Sequence, residues 1–224
     1  MNMPQQDSRS PRLVGAMTAS NPSVRLQAAL AAAGTHPDPQ LVGVLINRCA
    51  VEPDFFVRDM LTWALIRHPE EVTAPRLLAE LYSETAQARS QALHTLSKIG
   101  DPGLWPKIPK SLLHDPDDQV ARTAWRALVG LVPAGSKDDL AGELVTELGR
   151  GDRDIQRSLS RALITLGEVI TPLIQTAAAS SDPAVRAHAE ATERLRLDPD
   201  CEFPILMTDA KRIINAGNAA RGDS

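Results

Sequence analysis

The chain has 224 residues and a formal net charge of −4 at pH 7, and only 3% of its residues are aromatic. This length suits one elongated domain or a small array of repeats, and the acidic balance argues against non-specific nucleic-acid binding. No run approaches the roughly 20 apolar residues that span a bilayer, and residues 1–10 lack an apolar segment of the signal-peptide type, so we expect a cytoplasmic protein without a membrane span.

The N-terminal stretch divides into a polar part and a short apolar part. Residues 1–12 are mostly polar and contain two prolines, which predicts a disordered tail. Leu13 to Met17 then form a short apolar piece. Because the end repeats of a stacked array have an outer face without a neighbour, we expect this piece to cover the first repeat.

One pattern recurs six times along most of the chain. The valine-like reference positions are Val24, Val57, Ala88, Val120, Ile155 and Val185, separated by 33, 31, 32, 35 and 30 residues. Three positions earlier stand residues that favour helix N-caps, namely Asn21, Asp54, Thr85, Asp117, Asp152 and Asp182. Small or apolar residues follow at four and seven positions after the reference, on one helix face. Periods in this range indicate stacked helix pairs.

Arginine follows the reference position in four of the six repeats. These residues are Arg25, Arg58, Arg89 and Arg186, whereas Ala121 and Gln156 interrupt the row. Stacking would align the arginines along one edge, so we predict that they pair with the N-cap carboxylates of adjoining repeats. Glycines are expected to close most first helices, at Gly34, Gly100, Gly130 and Gly167.

The pattern predicts a series of helical hairpins. Their first and second helices are expected at 21–33 and 39–48, 54–67 and 73–82, 85–99 and 102–113, 117–131 and 136–148, and 152–166 and 168–179. Ser136 is expected to cap the second helix of the fourth pair. A sixth first helix is predicted at 182–197, without a clear second helix.

The third repeat carries a family resemblance. It contains the run Ala88-Arg89, Ala92 and Thr95-Leu96-Ser97-Lys98-Ile99-Gly100-Asp101-Pro102. This run resembles the HEAT repeat, in the short HEAT-like form first noted in phycobilin lyases, and the resemblance extends over residues 21–196. It implies an all-α fold, a right-handed α-solenoid of about six hairpins over residues 13–197. Such repeats are used mainly to hold partners, which implies a binding protein rather than an enzyme.

The C-terminal tail, residues 198–224, differs in composition from the repeats. Phe203 to Met207 form an apolar cluster, and Thr208 is placed to cap a short helix that includes Ile213 and Ile214. One interpretation is that the tail folds back over the sixth repeat in place of the missing second helix. The other is that it docks onto a partner or onto a second copy of the chain.

Five residues are candidate partner contacts. The resemblance implies that second helices line the concave face of the stack. In the third repeat, Leu104, Ile108 and Leu112 form a core stripe at four-residue spacing. The candidates fall off the core stripes of the second and third repeats, and they are Trp105, Lys107, Lys110, Arg76 and Tyr82. Tryptophan is enriched in binding hot spots; the preferred alternative is that Trp105 packs against a neighbouring helix.

Two further features are noted on the predicted helices. Asp139, Glu143 and Glu147 form an acidic stripe at four-residue spacing, which suits either a basic partner or a solvated face. Arg76 and Glu80 stand one turn apart in the second repeat and are expected to pair as a surface salt bridge. Trp63 and Trp125 lie near core positions of first helices, so we expect both indoles to be buried.

Catalytic and metal templates are not found in the sequence. It contains neither a phosphate-binding glycine loop nor a G-x-S-x-G elbow. Cys49 and Cys201 are far apart without a CxxC motif, and no two histidines are spaced i, i+4 as in a zinc-binding helix. We therefore expect no catalytic residue, cofactor or metal.

The functional expectation is a non-enzymatic scaffold or adaptor that presents a concave surface to a protein partner. The alternative is a DNA-binding or alkylpurine DNA glycosylase-type repair protein, because such glycosylases are built on HEAT-like scaffolds. The acidic balance argues against the alternative. Self-association through the apolar tail is a third possibility, and the oligomeric state is left open.

Overall fold

A computed structural model describes residues 9–36 and 38–200, with side chains from residue 11 onward. Every regular element in this part of the chain is a helix, which confirms the predicted all-α class. The expectations for residues 1–8 and for the segment 203–214 lie outside the described residues. The chain divides into two compact units, residues 1–109 and 110–224.

The first unit contains six α-helices and one 3₁₀-helix among its described residues. They are α1 (Arg9–Ala16), α2 (Pro22–Ala32), α3 (Pro39–Val51), α4 (Phe55–Leu65), α5 (Glu70–Glu80), α6 (Ala86–Ile99) and the 3₁₀-helix Pro102–Lys107. Helix α2 packs on α4, and α3 packs on α4, α5 and α6. The core between them consists of aliphatic side chains, among them Leu41, Leu45, Leu61, Leu65, Leu77, Leu93 and Leu96.

The second unit contains five α-helices and three short 3₁₀-helices among its described residues. Its described elements are the 3₁₀-helix Lys110–His114, α7 (Asp118–Leu131), the 3₁₀-helix Ala134–Ser136, α8 (Lys137–Val145), α9 (Arg153–Thr165), the 3₁₀-helix Glu168–Ile170, α10 (Thr171–Ala178) and α11 (Pro183–Leu197). Helix α9 packs between α7 and α11. Trp125 is fully buried here, as expected, and its indole N–H donates to the Leu113 carbonyl at 2.9 Å.

The helix starts follow the predicted caps closely. All six residues occupy the N-cap position, and five side chains accept a backbone N–H of the first turn: Asn21, Asp54, Asp117, Asp152 and Asp182. Thr85 caps by position without a side-chain hydrogen bond. A second acceptor, two residues before the cap, was not predicted. In four repeats it receives the N-cap's own N–H, at Glu52, Ser83, Asp115 and Ser180.

The arginine row has a different set of partners from the predicted one. Each row arginine donates through Nη1 to carbonyls five or six residues earlier, in the loop before its own helix. For Arg58 the acceptors are the carbonyls of Glu52 and Pro53, both at 2.8 Å. The same two contacts recur at Arg25 and Arg89, and Arg186 makes the one to the carbonyl six residues earlier. No described contact joins Arg25, Arg58 or Arg186 to an N-cap carboxylate, so the expectation of N-cap partners was wrong for these three. Arg25 does pair with a carboxylate of the adjoining repeat, but this is Glu52, two residues before the Asp54 cap. The row arginines instead close the loop before each helix.

Several predicted elements differ in their details. The segment predicted as one helix at 102–113 forms two 3₁₀-helices, because Pro106 and Pro109 have no N–H to donate to an α-helical ladder. Gly130 lies inside α7 rather than after it, and Ser136 makes no capping hydrogen bond. The burial pattern is nevertheless as expected, since the stripe residues Leu104, Ile108 and Leu112 are all buried.

The prediction for Trp63 was wrong. Trp63 is 37% exposed, and the Arg67 guanidinium lies 4.8 Å from the centroid of the indole ring. The outward face of α4 also carries the exposed Phe55 and Phe56, whose rings meet edge to face at 5.6 Å. Hydrophobicity alone placed Trp63 in the core, but its position six residues after the reference valine faces away from the neighbouring helices.

Candidate functional site

A groove in the second unit is lined by four arginines. Arg122 and Arg126 belong to α7, and Arg157 and Arg161 belong to α9. The groove has a volume of about 430 Å³, and Asp154 also lines it. We call this feature, defined by the four arginines and Asp154, the arginine groove.

The local sequence explains why the four side chains meet. Residues four apart lie on the same face of a helix, so each helix contributes a pair. Relative to the references Val120 and Ile155, both pairs stand at positions two and six. Because α7 and α9 pack side by side through their buried faces, equivalent positions become neighbours. The groove is thus a product of the repeat itself.

The positive charge of the arginine groove is not neutralised from within. None of the four guanidinium groups forms an ion pair with a residue that the structure describes. The Nε atoms of Arg122 and Arg157 are buried and find no hydrogen-bond partner among the described residues. Four arginines therefore face one lining carboxylate, Asp154.

The crowding of cations affects Arg126. Its Nε donates to the Arg122 carbonyl at 3.3 Å. Burial lowers the pKa of the Arg126 guanidinium, and the neighbouring positive charge of Arg122 lowers it further. The group remains cationic near neutral pH, so the lowered pKa indicates that the folded protein holds these charges together at a cost in free energy.

The chemistry available in the arginine groove is anion recognition. Guanidinium groups are planar, permanently charged donors that match carboxylate and phosphate oxygens in pairs. Ser158 and Thr165 also line the groove. The described lining residues include no histidine or cysteine that could act as a base or a nucleophile. Elsewhere, burial raises the pKa of the Cys49 thiol to about 12, which keeps it protonated and unreactive. We therefore interpret the groove as a binding site.

None of the five residues predicted from sequence is among the lining residues of the arginine groove. Trp105, Lys107, Arg76 and Tyr82 belong to the first unit, and Lys110 is the first residue of the second. Trp105 is partly buried in the 3₁₀-helix, and Tyr82 is 73% exposed just after α5. No hydrogen bond or ion pair in the described part of the chain joins any two of the five.

Two charge features that were predicted on second helices make other contacts than expected. Arg76 donates to the Val72 carbonyl at 3.1 Å, and its expected salt bridge with Glu80 is not formed among the described contacts. In the acidic stripe, a carboxylate oxygen of Glu143 lies 3.1 Å from His114 Nε2, and one of Glu147 lies 2.6 Å from His114 Nδ1. Glu147 also pairs with Arg150 at 2.7 Å. Two of the three stripe carboxylates are therefore engaged within the protein itself.

Sequence reasoning missed the arginine groove because it assigned binding to second helices only. A signal was nevertheless present. Arginine pairs at four-residue spacing recur at the same two repeat positions in neighbouring repeats. Asp118 is the one acidic residue four positions from any of the four arginines, and in the structure it pairs with Arg150. Repeat register, applied to outward-facing positions as well as to core positions, would have brought the four residues together.

No helix in the described ranges is both long and apolar enough to cross a membrane.

No protein-family model matches the sequence, and no curated protein matches it. Among solved structures, the chain is similar to an engineered protein at 19% identity and a TM-score of 0.45, covering 84% of this chain and 96% of that one. A second engineered protein is similar at 17% identity and a TM-score of 0.42, covering 88% and 99%.

Proposed function

We propose that this protein is a non-enzymatic binding module of about six HEAT-like hairpins in a right-handed α-solenoid, which holds an acidic protein segment in the arginine groove. The six-fold sequence repeat and the all-helical fold support the architecture. The observation that carries the binding role is the cluster of four arginines facing one lining carboxylate. Such a cluster of like charges repels itself, and a ligand that supplies negative charge relieves this repulsion and is attracted to the cluster.

This proposal moves the binding surface relative to the sequence expectation. The arginine groove lies between the first helices α7 and α9, whereas the expected concave face is lined by second helices. A role for Trp105, Lys107, Lys110, Arg76 and Tyr82 in holding a partner stays a prediction, as does the cytoplasmic location.

A peptide-binding assay tests the proposal. We expect a fluorescein-labelled octaglutamate peptide to bind the full chain, as followed by fluorescence anisotropy, and an octalysine peptide not to bind. Arg157→Gln should weaken octaglutamate binding about tenfold, the loss expected when one charge-assisted contact of about 1.4 kcal/mol is removed. Arg153→Gln is the matched control, because Arg153 is exposed on the same helix but does not line the groove. Equal binding by both variants would overturn the proposal.

DNA binding is the second candidate, favoured by the same observation, since arginine forks also fit backbone phosphates. Against it, no aromatic side chain lines the groove to stack on a base, and the chain carries a net charge of −4. A 12-base-pair duplex in the same assay separates the two. Tight binding that falls steeply with salt would favour DNA over an acidic protein segment.

A further inference from the structure

We propose that the preferred ligand of the arginine groove is a phosphate monoester, carried as a phosphorylated side chain by the protein partner. This inference rests on the proposed function and narrows it. Its basis is the mismatch between the number of donors in the groove and the few acceptors present to satisfy them.

The donors exceed what a single carboxylate can accept. Each guanidinium offers five N–H groups in a fixed fork, and within the described part of the chain the buried Nε atoms of Arg122 and Arg157 have no hydrogen-bond partner. A carboxylate presents two oxygens, which suits one fork. A phosphate monoester presents three strongly accepting oxygens, so it is able to engage forks from α7 and α9 at the same time.

The charges lead to the same ligand. Four arginines and Asp154 give the lining a formal charge of +3. A phosphorylated side chain brings roughly −1.5 to −2 at pH 7, whereas a glutamate brings only one negative charge. The dianion therefore offsets more of the repulsion between the arginines, which adds to the effect of burial in lowering the pKa of Arg126.

The shape of the arginine groove favours a single phosphate over a phosphate backbone. Its volume of about 430 Å³ falls within the range of about 300–1,000 Å³ found for small-ligand pockets. Asp154 lies in the same lining and would repel a second phosphate that extended past it. A nucleic-acid strand carries a phosphate at every nucleotide, so we favour an isolated phosphorylated residue.

The test compares four probes on the full chain by fluorescence anisotropy and competition. They are a labelled Gly-Ser peptide with one central phosphoserine, the same peptide with glutamate at that position, inorganic phosphate and a 12-base-pair DNA duplex. We expect the phosphopeptide to bind at least about tenfold more tightly than the glutamate peptide, which corresponds to roughly one additional charge-assisted contact. Inorganic phosphate should compete at higher concentration.

Variants assign the binding to the arginine groove. Arg157→Gln and Arg161→Gln should each weaken phosphopeptide binding about tenfold, while Arg153→Gln should leave it unchanged. Thermal melting provides a second readout that does not require a peptide. Inorganic phosphate should raise the Tm of wild type more than chloride does at equal ionic strength. Arg157→Gln should lose this response while keeping a Tm at least as high as wild type without phosphate.

Each alternative outcome has a distinct meaning. If the phosphopeptide and the glutamate peptide bind equally, phosphate selectivity is refuted while the proposed function stands. If neither octaglutamate nor the phosphopeptide binds, both proposals fail. If inorganic phosphate competes as well as the phosphopeptide, the ligand is a small phosphate rather than a partner side chain. Tighter binding of the duplex than of either peptide would refute the phosphopeptide in favour of nucleic acid.

Discussion

Arg150 donates a hydrogen bond through Nη2 to the carbonyl of Asp115, which lies six residues before Ala121. In the four repeats that have a row arginine, this arginine reaches the corresponding carbonyl from its own helix. Ala121 has no side chain able to do so, and Arg150 supplies the guanidinium from a later loop instead. Arg150 also pairs with Asp118 at 2.8 Å and with Glu147 at 2.7 Å. The interruption of the arginine row is therefore compensated within the second unit.

The first prediction tests this compensation. We expect Arg150→Ala to lower the free energy of unfolding by about 1–3 kcal/mol, because a part-buried carbonyl and two carboxylates lose their donor. Adding Ala121→Arg to this variant should recover part of the loss, since the new side chain takes the usual place in the row. Urea denaturation measures both effects. Arg153→Ala is the control and should change stability by less than about 0.5 kcal/mol. Similar losses in Arg150→Ala and Arg153→Ala would refute the compensation.

The second prediction concerns Glu52, which is 0% exposed. Its carboxylate accepts two hydrogen bonds from Arg25 and one from Arg48, all at 2.7 Å. Burial by itself raises the pKa of Glu52, but the hydrogen bonds from Arg25, Arg48 and the Asp54 N–H outweigh it and lower the pKa to about 2. We expect Glu52→Gln to cost about 3 kcal/mol or more at pH 7, because the buried Arg25 loses its counter-charge.

The pH dependence of this loss follows from the lowered pKa. A depressed carboxyl pKa stabilises the folded state fully above its unfolded value of about 4.3, and this stabilisation is lost as the pH falls towards 2. The stability difference between wild type and Glu52→Gln should therefore narrow by roughly 1 kcal/mol between pH 7 and pH 4. Glu84→Gln, at an exposed loop position, serves as the control. A difference that stays constant with pH would argue against an ionised Glu52.

The accuracy of the sequence predictions depended on whether the relevant interaction was local. The N-caps at Asp54 and Asp117 could be placed because a cap is satisfied within its own first turn. The role of Arg58 could not, because the competing acceptors are loop carbonyls whose positions depend on the folded backbone. The arginine groove required two helices to be set side by side, and only the repeat register carries that information. Trp63 is the opposite case. Its hydrophobicity predicts a buried indole, whereas its place in the repeat, six residues after Val57, is an exposed position, and Trp63 is exposed.

The third prediction concerns His188, which is fully buried between α9 and α11. The Gly149 N–H donates to its Nδ1 at 2.9 Å, so Nδ1 carries no proton, and Nε2 donates to the Gln156 carbonyl at 2.9 Å. These contacts hold the ring neutral. Burial lowers the pKa of His188 to about 4, against the opposing effect of the Gln156 carbonyl.

A histidine with a lowered pKa supports stability above its unfolded value of about 6.5, and this support is lost as the pH falls from 6.5 towards 4. We expect the free energy of unfolding to fall by about 2 kcal/mol between pH 7 and pH 5 from this residue. In His188→Asn, whose side-chain oxygen is able to accept the Gly149 N–H, that part of the pH dependence should disappear. His36→Asn, at an exposed position, should retain the wild-type slope. An unchanged slope in His188→Asn would show that another group titrates in this range.

The fourth prediction concerns His114, whose pKa is raised in the folded protein, whereas that of His188 is lowered. Hydrogen bonding to Glu147 raises the pKa of His114, burial opposes the rise, and Glu143 adds to it. Because the folded pKa lies above the unfolded one, the stabilisation is complete below about pH 6.5 and is lost as the pH rises through the folded value. The His114 side chain is 37% exposed, so solvent screening limits the contribution to below about 1 kcal/mol. His114→Gln should therefore be less stable than wild type at pH 6 and nearly equal to it at pH 8.5 in urea denaturation. A larger deficit at pH 8.5 than at pH 6 would mean that the imidazole stabilises the fold by packing rather than by its charge.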